Sequence, residues 1–188
     1  MENKVVIISG PSGAGKTTIV RHLLNSSLNL EFSVSATTRA KRVTETDGKD
    51  YYFLTTDEFR RRISKDDFAE WEEVYKDHFY GTLNSEVERI WAGKNNVLFD
   101  VDVKGGINLK KIFRQKAISI FIMPPSVNVL EERLLGRETD SKEKIRMRLL
   151  KAEEEMKLNR DFDFTVVNDV LEKAIIETHR LVSKFLNE

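Results

Sequence analysis

Short apolar runs alternate with longer stretches in which apolar residues recur at helical spacing. Val5-Val6-Ile7-Ile8, Val97-Leu98-Phe99, Ile118 to Ile122 and Phe164 to Val167 read as buried strands, with Phe32-Ser33-Val34 a weaker one. Ile19, Val20, Leu23 and Leu24 form a helical stripe, and Leu171, Ile175, Val182, Phe185 and Leu186 form another near the C-terminus. Each strand is followed by enough helical pattern for a right-handed crossover, so the pattern predicts an α/β fold with a largely parallel sheet flanked by helices. Two stretches break the rhythm. Residues 36–82 are dense in Thr, Arg, Asp and Tyr, with a turn signal at Asp47-Gly48, and predict an inserted subdomain of mixed strands with one helix from about Thr56. Residues 131–148 carry both charge signs and predict a helix, a mobile connection through Gly136 and a second helix. The reading is one domain over residues 1–188: a core of 1–35, 83–130 and 149–188, the insertion at about 36–82, and a lid at about 131–148.

Composition narrows the chemistry. The chain has 188 residues, of which 40% are hydrophobic and 33% charged, enough for a substantial core without disulfides. There is no cysteine, which excludes thiol nucleophiles and thiolate metal sites. Lys plus Arg and Asp plus Glu each total 31, so any anionic ligand is met by local cations, and bulk attraction to nucleic acid or membrane is not expected. The N-terminus carries no signal-peptide pattern and no apolar run approaches the ~20 residues of a membrane span, so a cytoplasmic location is expected.

The clearest chemistry lies at Gly10-Pro11-Ser12-Gly13-Ala14-Gly15-Lys16-Thr17, which matches G-x-x-x-x-G-K-[ST] at each fixed position, with a strand before it and an amphipathic helix after it. Such a loop turns main-chain N–H groups onto phosphate oxygens. Lys16 reaches the β and γ phosphates, and Thr17 offers a hydroxyl to Mg²⁺. Asp100 and Asp102 end the apolar run at Phe99, where parallel sheets gather ligands; they are candidates for Mg²⁺ assistance, against helix capping by Asp102 and a structural role for Asp100. In the insertion, Arg39 and Arg42 are spaced to fork onto one phosphate, with Tyr51 and Tyr80 as hydroxyl donors. Glu70 lies in the aromatic run Phe68-Ala69-Glu70-Trp71. A carboxylate there can accept both N1–H and N2–H of guanine, an arrangement adenine lacks.

With these segments in view, the chain resembles the guanylate kinase family over nearly its whole length. The resemblance rests on Gly10 to Thr18, Ser35 to Arg42, Gly48-Lys49-Asp50-Tyr51, Glu70-Trp71, Tyr80-Gly81-Thr82, Asp100-Val101-Asp102, Pro124-Pro125-Ser126, Leu134 to Arg137 and Val167-Asn168-Asp169, in family order. It implies MgATP-dependent phosphorylation of GMP, without a covalent phosphoenzyme or a dedicated general base. Arg39, Arg42, Tyr51 and Tyr80 look like the GMP phosphate clamp, and Ser35, Glu70, Gly81, Thr82 and Asp102 like the rest of the GMP site. Asn168 resembles the adenine contact, and Arg133, Arg137 and Arg148 resemble lid arginines. Arg39, Arg137 and Arg148 would join Lys16 in stabilising the transferring group, with insertion and lid closing over both substrates. Arg133 and Arg137 are four apart and so share a helix face. The stretch from Glu70 to Tyr80 is one residue longer than the common pattern, and Glu138 stands where a small residue is frequent. Related scaffold domains that bind phosphorylated peptides have degenerate phosphate loops, unlike this one; a kinase acting on a ribose bisphosphate is the nearer rival. Oligomeric state is left open.

Other features read as structural. Arg60-Arg61-Arg62 is flanked by acids and reads as a solvated helix face, as does Glu153-Glu154-Glu155. His22, His78 and His179 lack metal-ligand spacing, and Trp71 and the phenylalanines read as core.

Overall fold

The computed structural model describes residues 3–136 and 142–188. In chain order the elements are β1 (Val5–Ser9), α1 (Lys16–Leu24), β2 (Leu30–Phe32), β3 (Ala36–Thr37), β4 (Tyr52–Phe53), α2 (Thr56–Ile63), β5 (Phe68–Tyr75), β6 (His78–Leu83) and α3 (Asn84–Ala92). There follow β7 (Asn96–Asp100), α4 (Val103–Phe113), β8 (Ala117–Met123), α5 (Val127–Leu135), α6 (Lys142–Lys157), β9 (Phe164–Val167) and α7 (Leu171–Asn187).

β2, β7, β1, β8 and β9, in that order, form a parallel sheet. All five residues of β1 are buried, as expected for a central strand covered on both faces. Its alternation decides which helices cover which face. Val6 and Ile8 join Ile19, Leu23, Ala174 and Val182 beneath α1 and α7, whereas Val5 and Ile7 join Val87, Ile90 and Leu109 beneath α3 and α4. β2 begins two residues before the predicted Phe32 and pairs Phe32 with Leu98. Ser33 and Val34 lead out of the sheet instead: Ser33 N–H still donates to Leu98, but Val34 N–H donates to the buried Glu86 carboxylate.

A second sheet, ordered β4-β3-β6-β5, belongs to the insertion. Phe59 of α2, Ala36, Phe79 and Leu83 form its own small core, with Phe59 stacked on Phe68 and Phe79. Thr55 caps α2 by accepting from Glu58 N–H. The three arginines of α2 are surface residues: Arg61 and Arg62 pair with Glu58 and Arg60 pairs with Asp77. The β5–β6 pairing is irregular between Phe68 and Glu70 and between Glu73 and Tyr75, and regular between them, with Glu70 opposite Thr82 and Glu72 opposite Tyr80. Trp71 departs from the core reading. It alternates with Glu70 on β5, so turning Glu70 inward places the indole on the outer face, 41% exposed beside Phe79. His22 and His179, distant in sequence, meet edge-to-face where α1 and α7 pack, their ring centres 6.0 Å apart.

Around the predicted lid, α5 and α6 pack through Leu130, Leu134, Ile145 and Ala152. Arg137 and Glu138, and the connection between these helices, lie outside the described residues. No described helix is long and apolar enough to cross a membrane.

Candidate active site

The loop after β1 is shaped by glycines whose backbones leave no space for a side chain. Gly10 has φ +139° and Gly15 φ +93°; a Cβ on the first would lie 2.3 Å from Ile122 O and on the second 2.3 Å from Asn168 Nδ2. Lys16, the first residue of α1, folds its ammonium over the loop and donates to Gly10 O at 2.7 Å and Pro11 O at 3.2 Å. Ala14 is buried beneath the loop, and its carbonyl accepts from Asn168 Nδ2 at 2.7 Å.

This loop forms one wall of a cleft of about 460 Å³ lined by Gly10, Ser12, Gly13, Gly15, Lys16, Thr17 and Thr18. The carboxyl ends of the parallel strands supply its floor through Asp100, Val101 and Asp102, and the insertion supplies the opposite wall through Ser35, Tyr51, Glu70, Glu72, Tyr80 and Gly81. Arg148, Lys151 and Glu155, on one face of α6, close the side. The triplet Glu153-Glu154-Glu155 is therefore not a uniform solvent face. Its last member is partly buried in the cleft and ion-pairs with Lys151 at 3.4 Å, while the first two are exposed. Arg148, Lys151 and Glu155 fall at i, i+3 and i+7, a pattern the sequence carried but which charge alone did not separate from a solvated helix.

The carboxylates have distinct environments. Glu70 is 8% exposed and accepts from Thr82 Oγ1 at 2.9 Å. Burial pushes its pKa up to about 7; the Thr82 hydrogen bond opposes this and nearby Asp102 reinforces it. Burial also raises Asp100, opposed by the charge of Lys16, and raises Glu155, opposed by Lys151 and Lys16. Asp102 caps α4, its Oδ1 accepting from Gly105 N–H at 2.7 Å, while the residue still borders the cleft. Capping and ligand contact were alternatives in sequence; in space they do not compete.

The predicted clamp is partly assembled. Arg39 lies 4.8 Å over the Tyr51 ring, and Tyr51 meets Tyr80 edge-to-face at 6.0 Å. The Nη1/Nη2 edge of Arg39 is occupied by Glu45, at 2.7 and 2.5 Å. This hydrogen-bonded pair holds Glu45 down at a pKa of about 2 and raises Arg39 further. Glu45 Oε2 also accepts from Arg42 N–H at 2.8 Å, while the Arg42 side chain is exposed. Glu45 was not singled out by sequence; its only signal was an acid three residues after Arg42. Arg133 does not line the cleft: its Nη2 donates to Asn168 O at 2.9 Å, behind the loop, and its Nη1 is buried without a hydrogen-bond partner. Asn168 is 3% exposed, and its Oδ1 likewise has no partner.

The cleft thus holds a strand-end acid within the field of the phosphate-loop lysine and faces both toward a second polar wall, and comparison with known proteins gives the family. The guanylate kinase family model matches residues 2–185. The chain is a member of the guanylate kinase family. It is 50% identical over 188 residues to the guanylate kinase of Bacteroides thetaiotaomicron, covering all of this chain and 92% of that one. It is 49% identical over 184 residues to that of Porphyromonas gingivalis, covering 97% and 98%. Among solved structures, the guanylate kinase from Anaplasma phagocytophilum superposes with a TM-score of 0.80 at 29% identity, covering 99% of this chain and 87% of that one. A shikimate kinase from Bacteroides thetaiotaomicron shares the fold alone, at 15% identity and a TM-score of 0.54. In this member of the family, the phosphate loop and Glu70 line one cleft.

Proposed function

We propose that the cleft aligns ATP and GMP for direct transfer of the γ-phosphoryl group, giving ADP and GDP. The chain is a nucleoside monophosphate kinase of the guanylate kinase family, and the observation that carries the assignment of its parts is that the phosphate loop and Glu70, held from behind by the buried Thr82, line opposite walls of one cavity. The ATP site comprises Gly10 to Thr18, with Asn168 and Arg133 behind the loop toward the adenine side. The acceptor site comprises Ser35, Arg39, Arg42, Tyr51, Glu70, Tyr80, Gly81, Thr82 and Asp102. Residues 36–82 act as the acceptor-binding unit and 131–148 as the lid, with Arg137 and Arg148 delivered to the phosphates on closure.

A GMP phosphate oxygen attacks the γ-phosphorus in line, and the bond from that phosphorus to the β–γ bridging oxygen breaks as ADP leaves. Two anions must be held in contact, so the chain's contribution is position and positive charge. Phosphate oxygens replace Gly10 O and Pro11 O as acceptors for Lys16 Nζ, and Arg39 with Tyr51 and Tyr80 holds the attacking phosphate. Ionised Glu70 accepts from guanine N1–H and N2–H. Lid closure excludes the water that would otherwise take the phosphoryl group.

Mg²⁺ fits the donor set. Asp100 is a strand-end carboxyl whose burial is offset chiefly by Lys16, and Thr17 offers a hydroxyl from the first turn of α1. Thr17 and Asp100 would hold the ion beside the phosphate loop, where it would neutralise charge on the nucleotide's phosphates.

The test is ADP release with ATP and each of GMP, AMP, UMP, CMP and ribose phosphates. GMP should be turned over at least ~10³-fold more efficiently than AMP, since a pocket built to accept from guanine's N–H edge leaves buried groups unpaired with adenine. Equal turnover of AMP overturns the assignment of Glu70.

A further inference from the structure

Glu72 has no part in the roles given above, yet it lines the same cleft. It follows Glu70 by two residues on β5, so both side chains leave the same face of the strand. The pairing register sets Glu70 opposite Thr82 and Glu72 opposite Tyr80. Two strand residues, ~7 Å of travel, therefore lead from the base-reading end of the pocket to its phosphate end. In a nucleoside monophosphate the sugar occupies that interval.

The charge of Glu72 is partly offset. Lys104, at the start of α4 and exposed, donates to its Oε1 at 3.1 Å. The group is nonetheless near enough to Glu70 to help raise that residue's pKa. An ionised carboxylate only accepts hydrogen bonds. GMP has few donors to give it: the guanine N–H groups, which face Glu70, and the two ribose hydroxyls. The phosphate dianion has none.

We infer that Glu72 reads the sugar, accepting a hydrogen bond from the ribose 2′-hydroxyl and making the acceptor site prefer GMP over dGMP. This rests on the acceptor reading under Proposed function. A hydrogen bond between a neutral donor and a charged acceptor supports a preference of about tenfold to a hundredfold.

The experiment measures kcat/KM for GMP and dGMP at fixed ATP in the wild type, Glu72→Gln and Glu72→Ala, with thermal unfolding of each variant as a check on folding. The wild type should favour GMP by about tenfold or more. Glu72→Ala should lower GMP efficiency to within about twofold of the dGMP value while changing dGMP itself little. Glu72→Gln, which keeps one acceptor oxygen, should fall between. If Glu72 merely ties the insertion to the core through Lys104, both substrates lose by the same factor and their ratio is unchanged, which overturns the inference. A wild type that uses GMP and dGMP equally also overturns it while leaving the acceptor reading intact. A wild type that phosphorylates neither sinks the acceptor reading itself.

Discussion

The two walls of the cleft are built on different principles. The donor wall is main chain: a glycine-rich turn, the first turn of α1 and one lysine, all between Gly10 and Thr18. The acceptor wall is side chain: residues from Ser35 to Gly81, brought together by a four-stranded sheet and already engaged with their neighbours. Arg39 is held by Glu45, Glu70 by Thr82 and Glu72 by Lys104. A phosphate tail is common to all nucleoside triphosphates, so amides suffice to grip it. A particular base must be told from three others, and that takes buried polar groups whose pairing fails with the wrong ligand.

Substitutions on each wall should separate these principles. The largest effect is expected from Lys16→Ala, which removes the donor wall's charged side chain. It should cut kcat by at least ~10² for every acceptor alike, through lost charge stabilisation of the transferring group; steady-state rates with saturating ATP and GMP check this, and retained full turnover excludes Lys16 from the chemistry.

Glu70→Gln should act on the opposite wall and on guanine alone. It places an amide donor toward a guanine N–H and should cost about 2–3 kcal/mol in kcat/KM for GMP, with ATP binding unchanged. The same variant should be the more stable protein at pH 8. Glu70 has a pKa raised from 4.5 to about 7 in the fold, so the folded state holds its proton more tightly and ionisation destabilises it as pH rises through that window. Gln carries no charge to bury, so its Tm advantage should appear at pH 8 and vanish near pH 4.

A smaller, graded effect should follow in the wild type. Protonated Glu70 cannot accept from guanine through both oxygens, so KM for GMP should rise as pH falls below about 7, up to ~10-fold per unit, while KM for ATP stays level. Parallel drift of both constants would point to the phosphate groups instead. The smallest effect belongs outside both walls. Arg61→Ala removes an exposed partner of Glu58 on α2 and should change stability by less than ~0.5 kcal/mol by denaturant unfolding, with activity unaltered.

What sequence revealed follows the same division. The phosphate loop was legible as a unit because its residues are contiguous and its glycines answer to backbone geometry, whereas Arg133, read with it, turns to Asn168 O instead of the cleft. The acceptor wall was legible as candidate side chains but not as an assembly. Glu45 gave no sign of holding Arg39, since their pairing depends on how residues 40–50 turn back. Trp71 was read as core because an indole is normally buried, whereas β5 alternation gave the inner face to Glu70. Glu155 was lost in a run of three acids whose helix phase only the packing of α6 against the cleft could resolve.

The irregularity between Glu73 and Tyr75 lies beyond the pairing of Glu72 with Tyr80, and Val74, which has no cross-strand partner in that register, still lines the cleft. The hairpin tip at Lys76 and Asp77 lies past Val74 and outside the cleft lining, so its length can change while the span from Glu70 to Tyr80 stays constant. Insertions and deletions should accumulate at that turn among related chains, and it is the place where a short peptide or reporter group can be grafted without disturbing recognition.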